Sequence, residues 1–293
     1  MSRIHQILTR ADRDGTTAGL TSPQFPPLVP SSAQRPWDSR VERADADYGE
    51  PAIPNYPDRF APGNADGADP WRQLPPDAEL DQRLVAILQP LSPAGERFRA
   101  LGTRIATHDG ESSPQIVAVT SPNRSDGKTL TGFNLALAMA READCRTLLI
   151  DAHLRRPRIH AMLGVAREPG LVDVLIGRTR LEHAVVALGD GRPQVLTAGA
   201  AIGQAAALLR SAEMHELVVR LRSRFDRIVI DAASSETAEA GALASLVDGV
   251  LLVVRAGRTR QPDIDRALDS VPAAKLIGMV LNDCRTVNAL QDA

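Results

Sequence analysis

From about residue 115 onwards, the chain alternates short apolar runs with segments of helical periodicity. Continuous apolar strands separated by helices are typical of a parallel sheet that is covered on both faces and joined by right-handed crossovers. The pattern therefore predicts an α/β fold. The candidate strands are 116–121, 147–151, 194–197, 227–231, 249–254 and 276–282, and the main candidate helices are 128–142, 205–225 and 237–247.

Two helical segments precede the first of these strands. The stretch LDQRLVAILQP is followed by SPAGERFRALGTRIA. In the second stretch Ser92 is a candidate N-cap, and Phe98, Leu101 and Ile105 fall on one face. Both segments are therefore expected to belong to the folded domain.

The amino-terminal region has a different character. Residues 1–15 carry one narrow apolar stripe at helical spacing, which indicates either a short docking helix or a frayed end without a partner. Residues 16–78 are predicted to be a disordered linker, because they contain twelve of the 21 prolines among many Asp, Ser and Gly residues. The ordered domain is then expected to occupy residues 79–293.

Composition restricts the classes of partner. Hydrophobic residues make up 43% of the chain and aromatic residues only 3%, so burial must come mainly from Ala, Val, Leu and Ile. The net charge of −2 and the pI near 6.3 provide no overall attraction to nucleic acid or to anionic lipid. No nucleic-acid partner is therefore expected.

The two cysteines and the apolar runs bear on the compartment. Cys145 and Cys284 lack the spacing of metal or redox sites, which fits a reducing cytoplasm. The amino terminus has no apolar core of a signal peptide, and no apolar run approaches the ~20 residues that span a bilayer. The expected location is cytoplasmic, and any membrane association would come through a partner.

The stretch IVAVTSPNRSDGKTLTGFNLALAMA has the layout of a nucleotide phosphate loop. A buried strand leads into a polar turn, and Gly127, Lys128 and Thr129 then open an apolar helix. Backbone N–H groups can surround an anion there, the lysine adds a charge, and the threonine hydroxyl can hold Mg²⁺. Pro122 occupies the position where a strict Walker sequence has its first glycine. An ordinary strand-to-helix turn that contains GKT is the alternative.

Two aspartates end other candidate strands. Asp151 closes TLLID and Asp231 closes FDRIVID. The carboxyl ends of parallel strands border the binding crevice of an open α/β sheet, so both carboxylates can converge on Mg²⁺ beside Lys128. Each aspartate alone could instead cap a helix or begin a turn.

These segments together resemble the bacterial tyrosine autokinases of capsular and exopolysaccharide biosynthesis, which are P-loop ATPases related to the partitioning ATPases. TSPNRSDGKT resembles their phosphate loop, LLIDAHLRRP their second acidic motif, and RFDRIVIDA their Walker B strand. EPGLVDVLIG, VDGVLLVVRAGRT and GMVLND also fit the family's succession. The resemblance covers about the last two hundred residues and implies a P-loop NTPase fold.

The resemblance also implies roles for individual residues. Lys128 would contact the β and γ phosphates of ATP, Thr129 would ligate Mg²⁺, and Asp151 and Asp231 would organise the metal and the attacking group. Asn282 matches a position near adenine in related ATPases, or is a turn residue at a strand end. The implied cofactors are ATP and Mg²⁺, and the implied partner is a membrane-embedded polysaccharide chain-length regulator. The implied cofactor-binding residues are Ser125, Asp126, Gly127, Lys128, Thr129, Leu130 and Asn282.

Several positions depart from the family pattern. Ser125 replaces a glycine of the loop, and His153 replaces the second aspartate of the acidic motif. Ala233 and Ser234 follow Asp231 where the family has a pair of prolines. GERFRALG has Gly102 where the family's oligomerisation motif has its last arginine, which counts against the homo-oligomeric ring that the resemblance implies.

The tyrosines are also unusual for this family. The carboxyl-terminal stretch DCRTVNALQDA has no tyrosine, although the family's autophosphorylation sites cluster there. The chain's two tyrosines, Tyr48 and Tyr56, lie in the predicted linker. Tyr48 sits in the acidic stretch ADADYGE and is either a phosphoacceptor or an ordinary linker residue.

Three functions fit this sequence. The leading one is an ATP-binding, autokinase-like regulator of polysaccharide export. A pseudokinase that acts as an adaptor to the export machinery is the second, because the motifs are eroded. A partitioning-type ATPase is the third, although Pro122, Asn123 and Arg124 occupy the stretch where that class has a signature lysine. Arg155, Arg156 and Arg158 either form a solvated helix face or contact phosphate or a partner.

Overall fold

The computed structural model describes residues 71–107, 113–142, 145–189 and 191–284. The predicted helix at 1–15 and most of the predicted linker at 16–78 lie outside these residues. None of the helices in the described ranges combines the length and the apolar character needed to cross a bilayer.

One sheet organises the described residues. Its strands are β1 (Arg72–Gln73), β2 (Ile116–Thr120), β3 (Thr147–Asp151), β4 (Val185–Ala187), β5 (Gln194–Leu196), β6 (Arg227–Asp231), β7 (Gly249–Arg255) and β8 (Leu276–Asn282). They lie in the order β1-β4-β5-β3-β6-β2-β7-β8. Every neighbouring pair is parallel except β4 and β5, so the sheet is mostly parallel.

Helices connect and cover these strands. The helices of the described residues are α1 (Val85–Leu88), α2 (Pro93–Ala106), α3 (Lys128–Met139), α4 (Ile159–Leu163), α5 (Leu171–Leu175), α6 (Leu181–Ala184), α7 (Ala205–Leu209), α8 (Ala212–Arg224), α9 (Ala238–Leu243) and α10 (Gln261–Ser270). A 3₁₀ turn at Ala273–Lys275 leads into β8.

Alternate residues of the central strands face different sides of the sheet. In β2, Ile116 and Ala118 belong to one buried cluster, which also contains Leu217 of α8. Val117 and Val119 belong to a second cluster with Phe133 of α3. Helices therefore cover both faces of the sheet, and the predicted α/β fold is confirmed.

Most of the predicted elements are confirmed. All six candidate strands occur, with ends that agree to within one residue. Ser92 caps α2 as expected, because its Oγ accepts a hydrogen bond from the Gly95 amide at 3.1 Å. The candidate helix at 205–225 is wrong in one respect, since Ser211 interrupts it and caps α8 by accepting from the Met214 amide at 3.2 Å.

The sequence pattern did not single out several elements, which are strands β1 and β4 and helices α4, α5, α6 and α10. Strands β1 and β4 are two and three residues long, too short for a periodic signal. The expectation of a wholly parallel sheet is corrected at β4 and β5, because the short connection between them favours an antiparallel pair. Helix α10 is mostly polar, and its buried side faces the sheet through Ala267 and Leu268.

Trp71 anchors the start of the described chain. Its side chain is 7% exposed and stacks on Phe225 with ring centroids 6.1 Å apart. The Cζ atom of Arg224 lies 4.8 Å from the centroid of the Trp71 ring, a cation–π contact. Trp71, which the sequence placed in the linker, therefore packs into the core of the described residues.

Replacing this tryptophan tests where the folded domain begins. Trp71→Ala should lower the free energy of unfolding by about 2–4 kcal/mol, because it removes a buried aromatic group from the edge of the core. Urea unfolding of the full chain measures the change. Leu91→Ala, at a side chain that is 87% exposed, should stay within about 0.5 kcal/mol of wild type. Equal stability of Trp71→Ala and wild type would leave Trp71 in the linker.

Candidate active site

The loop between β2 and α3 has the backbone expected of an anion site. Gly127 precedes α3 with φ 103°, a left-handed conformation that favours glycine. A Cβ at this position would also overlap the amide of Asn282. Lys128 then opens the helix and is only 6% exposed. The unpaired N–H groups of the first helical turn, the positive end of the helix dipole and the buried Lys128 therefore lie together, and all three favour an anion.

Hydrogen bonds within the loop fix its path. The Asp126 carboxylate accepts from the Asn123 amide at 2.8 Å, and the Ser121 hydroxyl donates to the Asn123 carbonyl at 2.7 Å. Ser125 adopts φ 65°, again left-handed, at the position where the family pattern has glycine. A non-glycine residue in this conformation costs about 1 kcal/mol, which the surrounding contacts must offset.

The carboxyl ends of β7 and β8 hold the loop from outside. The Asn282 side-chain amide donates to the Asp126 carbonyl at 2.9 Å. Arg255 donates to the Ser125 carbonyl at 3.3 Å and pairs with Asp283 at 2.8 Å. The sequence analysis singled out Asn282 but missed Arg255. Its position at the end of an apolar strand was the signal that could have identified it.

The two aspartates lie side by side on neighbouring strands. In the parallel pair β3 and β6, Asp151 is directly opposite Asp231. Asp151 is fully buried, and its carboxylate accepts three backbone hydrogen bonds, each 3.1 Å long, from the amides of His153, Arg158 and Ile159. Burial nevertheless raises its pKa to about 6, while these hydrogen bonds and Lys128 act to lower it.

Asp231 is also buried, but fewer hydrogen bonds stabilise its carboxylate. It is 1% exposed, and neither carboxylate oxygen has a hydrogen-bond partner of good geometry. Burial and then the nearby Asp151 carboxylate raise its pKa to about 7, whereas Lys128 and Thr129 lower it. A buried carboxylate with unused oxygens is costly unless a cation or a proton satisfies it.

The structure thus brings together the three residues predicted to be catalytic. Lys128 influences the pKa of both Asp151 and Asp231, so the charge of α3 lies beside the two strand ends. Thr129 approaches Asp231 from the same helix. Leu130, predicted as a cofactor-binding residue, packs its side chain against the second core cluster, which leaves its backbone for any contact with a ligand.

A cavity of about 420 Å³ adjoins this site. Its lining consists of Arg124, His153, Arg155, Arg156, Ala233, Ser234, Thr237, Ala238 and Glu239. It therefore lies between the phosphate loop, the turn after β3 and the segment after β6. The pKa of His153 falls to about 4, first because of burial and then because of Lys128 and Arg124, so the imidazole is neutral at physiological pH.

The arginines of LRRP do not lie on a helix face. Arg155, Arg156 and Arg158 all precede α4, in the turn that follows β3. The solvated helix face considered from the sequence is therefore wrong. Arg155 instead pairs with the buried Glu239 at 2.7 Å, and this pair links the turn to α9.

The described residues contain no group of three or more His, Cys, Asp or Glu side chains that could form a protein-only metal site. Mg²⁺ is usually bound through one or two carboxylates together with substrate phosphates, so such a group is not required for it. The unused oxygens of Asp231, close to Thr129, fit this kind of site.

The surface of α2 bears on the expected ring assembly. Glu96 and Arg99 pair with each other at 2.7 Å on the exposed side of the helix. Gly102, where the family motif has an arginine, is buried, and a Cβ there would lie 3.4 Å from Cγ of Met139. The position faces α3 and leaves little room for a longer side chain.

The raised pKa values predict how stability depends on pH. In the folded state the pKa values of Asp151 and Asp231 are about 6 and about 7, above the ordinary value of 3.8. Between pH 3.8 and pH 7 the folded state therefore binds more protons than the unfolded state. Their contribution to stability is therefore complete below about pH 4 and is lost as the pH rises through about 7.

Asp231→Asn should consequently raise the free energy of unfolding at pH 8 by roughly 1–3 kcal/mol and change it little at pH 4. Urea unfolding at a series of pH values measures this difference. Asp77→Asn, at an exposed carboxylate, should follow wild type throughout. Parallel pH profiles for Asp231→Asn and wild type would show that Asp231 titrates normally.

No family model matches the chain. The tyrosine-protein kinase CpsD of Streptococcus pneumoniae is 32% identical over 214 residues, which cover 71% of this chain and 90% of CpsD. The succinoglycan biosynthesis transport protein ExoP of Rhizobium meliloti is 34% identical over 209 residues, which are 69% of this chain but only 26% of ExoP.

A solved structure agrees with these relatives. The kinase domain of the Escherichia coli tyrosine kinase ETK superposes with a TM-score of 0.65 at 26% identity, covering 72% of this chain and 83% of that domain. The chain belongs to the family of bacterial tyrosine-protein kinases.

Proposed function

We propose that this chain binds ATP with Mg²⁺ and transfers the γ-phosphoryl group to tyrosine, as a regulator of capsular or exopolysaccharide biosynthesis and export. The observation that carries the proposal is the convergence of buried Lys128 with Asp151 and Asp231 at one edge of the sheet. Phosphoryl transfer needs chiefly positioning and charge neutralisation, and this arrangement can provide both.

Different residues of the site would bind the phosphates and the metal ion. The backbone N–H groups from Gly127 to Leu130 bind phosphate oxygens, and Lys128 places a positive charge beside them. Thr129 and Asp231 would hold Mg²⁺, which neutralises phosphate charge when bound, and Asp151 would orient this group. The Asp231 carboxyl must lose its proton to accept a cation, so binding strengthens as the pH rises towards 7.

The loop contacts support a positioning role for the strand ends. Asn282 and Arg255 donate hydrogen bonds to the carbonyls of Asp126 and Ser125 and would thereby hold the loop in position for phosphate. By the resemblance to related ATPases, Asn282 would also lie near the adenine.

The proposed partner is a membrane-embedded polysaccharide chain-length regulator. The chain spans 90% of CpsD but only 26% of ExoP, so the same domain occurs both as nearly a whole protein and as a fraction of a longer one. By the resemblance, the chain would bind such a partner as a separate protein, and the apolar stripe of residues 1–15 is the candidate docking segment.

A second function, an adaptor without phosphoryl transfer, is favoured by one group of observations. Ser125 occupies a left-handed position, and neutral His153 stands where the family has a carboxylate. Both changes lie in the site itself. An adaptor would keep the fold and nucleotide binding, or the fold alone, and would lack turnover.

Nucleotide binding can be tested at the buried lysine. Lys128→Ala should weaken the binding of Mg·ATP by at least about a hundredfold, because it removes a charge-assisted contact from a desolvated site. Titration calorimetry on the full chain measures the dissociation constants. Arg141→Ala, at an exposed residue just beyond α3, should bind as wild type does. Undetectable binding by wild type would defeat the proposed function.

A measurement of phosphotyrosine formation distinguishes the kinase function from the adaptor function. Wild type with Mg·ATP should acquire phosphotyrosine, and Asp231→Asn should slow this reaction by about a hundredfold or more, because a metal-binding carboxylate is lost. Intact-protein mass spectrometry over a time course detects each added phosphoryl group. Tight ATP binding without any phosphotyrosine would favour the adaptor.

A further inference from the structure

The cavity beside the carboxylates has a cationic wall. Arg124, Arg155 and Arg156 line it, and Glu239 is the only acidic residue in its lining. Glu239 is paired with Arg155. Within the described ranges, no carboxylate forms an ion pair with Arg124 or Arg156, so the cavity retains positive charge that an anionic ligand can neutralise.

His153 makes the cavity more favourable to anions than the family pattern would. This residue lines the cavity at the position where the pattern has an aspartate. An imidazole, unlike a carboxylate, bears no negative charge in either protonation state. The usual repulsion between a carboxylate at this position and an acidic ligand is therefore absent.

The sheet topology brings the amino-terminal segment to this edge. Strand β1 is parallel to β4, β4 is antiparallel to β5, and β5 is parallel to β3. Strand β1 therefore runs opposite to β3, and its first residues lie at the edge where β3 ends. Arg72 pairs with Val186, Val186 with Val195, and Val195 with Leu149, so the amino-terminal end of β1 lies close to the level of Asp151.

The distance to be covered is short. Strands β1 and β3 are separated by β4 and β5, a distance of about 14 Å between strand axes. Residues 49–70 number 22 and can extend to about 75 Å. A residue near position 48 can therefore reach the cavity of its own domain or that of a neighbouring copy.

The amino-terminal segment contains both tyrosines of the chain, and their surroundings differ in charge. Asp45, Asp47 and Glu50 flank Tyr48. Tyr56 lies between Asn55 and Pro57 and is followed by Asp58 and Arg59, whose charges balance. The segment around Tyr48 is thus the one whose charge is complementary to the arginines of the cavity.

We propose that the arginine-lined cavity binds the acidic segment 45–50 and that Tyr48 is the tyrosine substrate of this kinase. The proposal rests on the proposed function for its co-reactant, ATP. The phenolic oxygen of Tyr48 forms a bond to the γ phosphorus, and the bond from that phosphorus to the β–γ bridging oxygen breaks. ADP leaves with the bonding electron pair, and the phenolic proton passes to water.

Mapping the phosphorylated tyrosine tests the proposal. The full chain is incubated with Mg·ATP, and peptide mass spectrometry locates and quantifies the phosphotyrosine in wild type, Tyr48→Phe and Tyr56→Phe. Wild type and Tyr56→Phe should carry phosphate on Tyr48 at similar rates, and Tyr48→Phe should carry none. Phosphate on Tyr56 that persists in Tyr48→Phe at the wild-type rate would overturn the assignment.

Charge variants test the cavity. Neutralising the acidic segment with Asp45→Asn, Asp47→Asn and Glu50→Gln together should slow phosphorylation of Tyr48 about tenfold, and Arg156→Gln should have an effect of similar size. The matched control Arg141→Gln should leave the rate unchanged. ATP affinity should equal that of wild type in all these variants, and unchanged rates in both charge variants would exclude the cavity as the binding site.

A binding experiment tests whether the cavity binds the acidic segment even if no phosphoryl transfer occurs. A fluorescent peptide with the sequence of residues 41–55 is titrated with the full chain that carries the three neutralising substitutions, so that its own segment does not compete. Adding Arg156→Gln to this protein should weaken peptide binding about tenfold. Equal affinity would overturn the cavity proposal, whereas absence of ATP binding would overturn the proposed function alone.

Discussion

Two carboxylates that face each other across buried, parallel strands impose the main constraint on this molecule. Strands β3 and β6 pair in a register that sets Asp151 beside Asp231 inside the protein. Backbone amides satisfy Asp151, but the oxygens of Asp231 have no such donors. Buried Lys128 supplies the compensating charge, and a bound cation would supply more. The fold thus keeps an unfavourable charge arrangement that a proton or a bound cation relieves.

The phosphate loop depends on residues far away in the sequence. Asn282 and Arg255 reach the loop from the ends of two neighbouring strands and hold the carbonyls of Asp126 and Ser125. Such external contacts explain how a loop with serine in a left-handed position keeps its path. Arg255 also pairs with Asp283, so it links the loop to the end of the last described strand.

The substrate side of the site follows from topology in the same way. The antiparallel pairing of β4 with β5 reverses the direction of β1, so the amino-terminal chain meets the sheet at its catalytic edge. A wholly parallel sheet would place that chain at the opposite edge. One short hairpin connection therefore brings the acidic segment around Tyr48 within reach of the arginines of the cavity.

The sequence by itself determined the α/β fold, the main strands, and the association of Lys128, Thr129, Asp151 and Asp231, because apolar periodicity and strand-end carboxylates are local signals. Only the tertiary structure decided the short strands, the burial of Trp71, the contact of Arg255 with the phosphate loop, and the cavity beside His153. These features depend on pairing register and on contacts between distant segments. The pKa values of the aspartates likewise required burial to be known, since desolvation is a property of the packed chain and not of the residue.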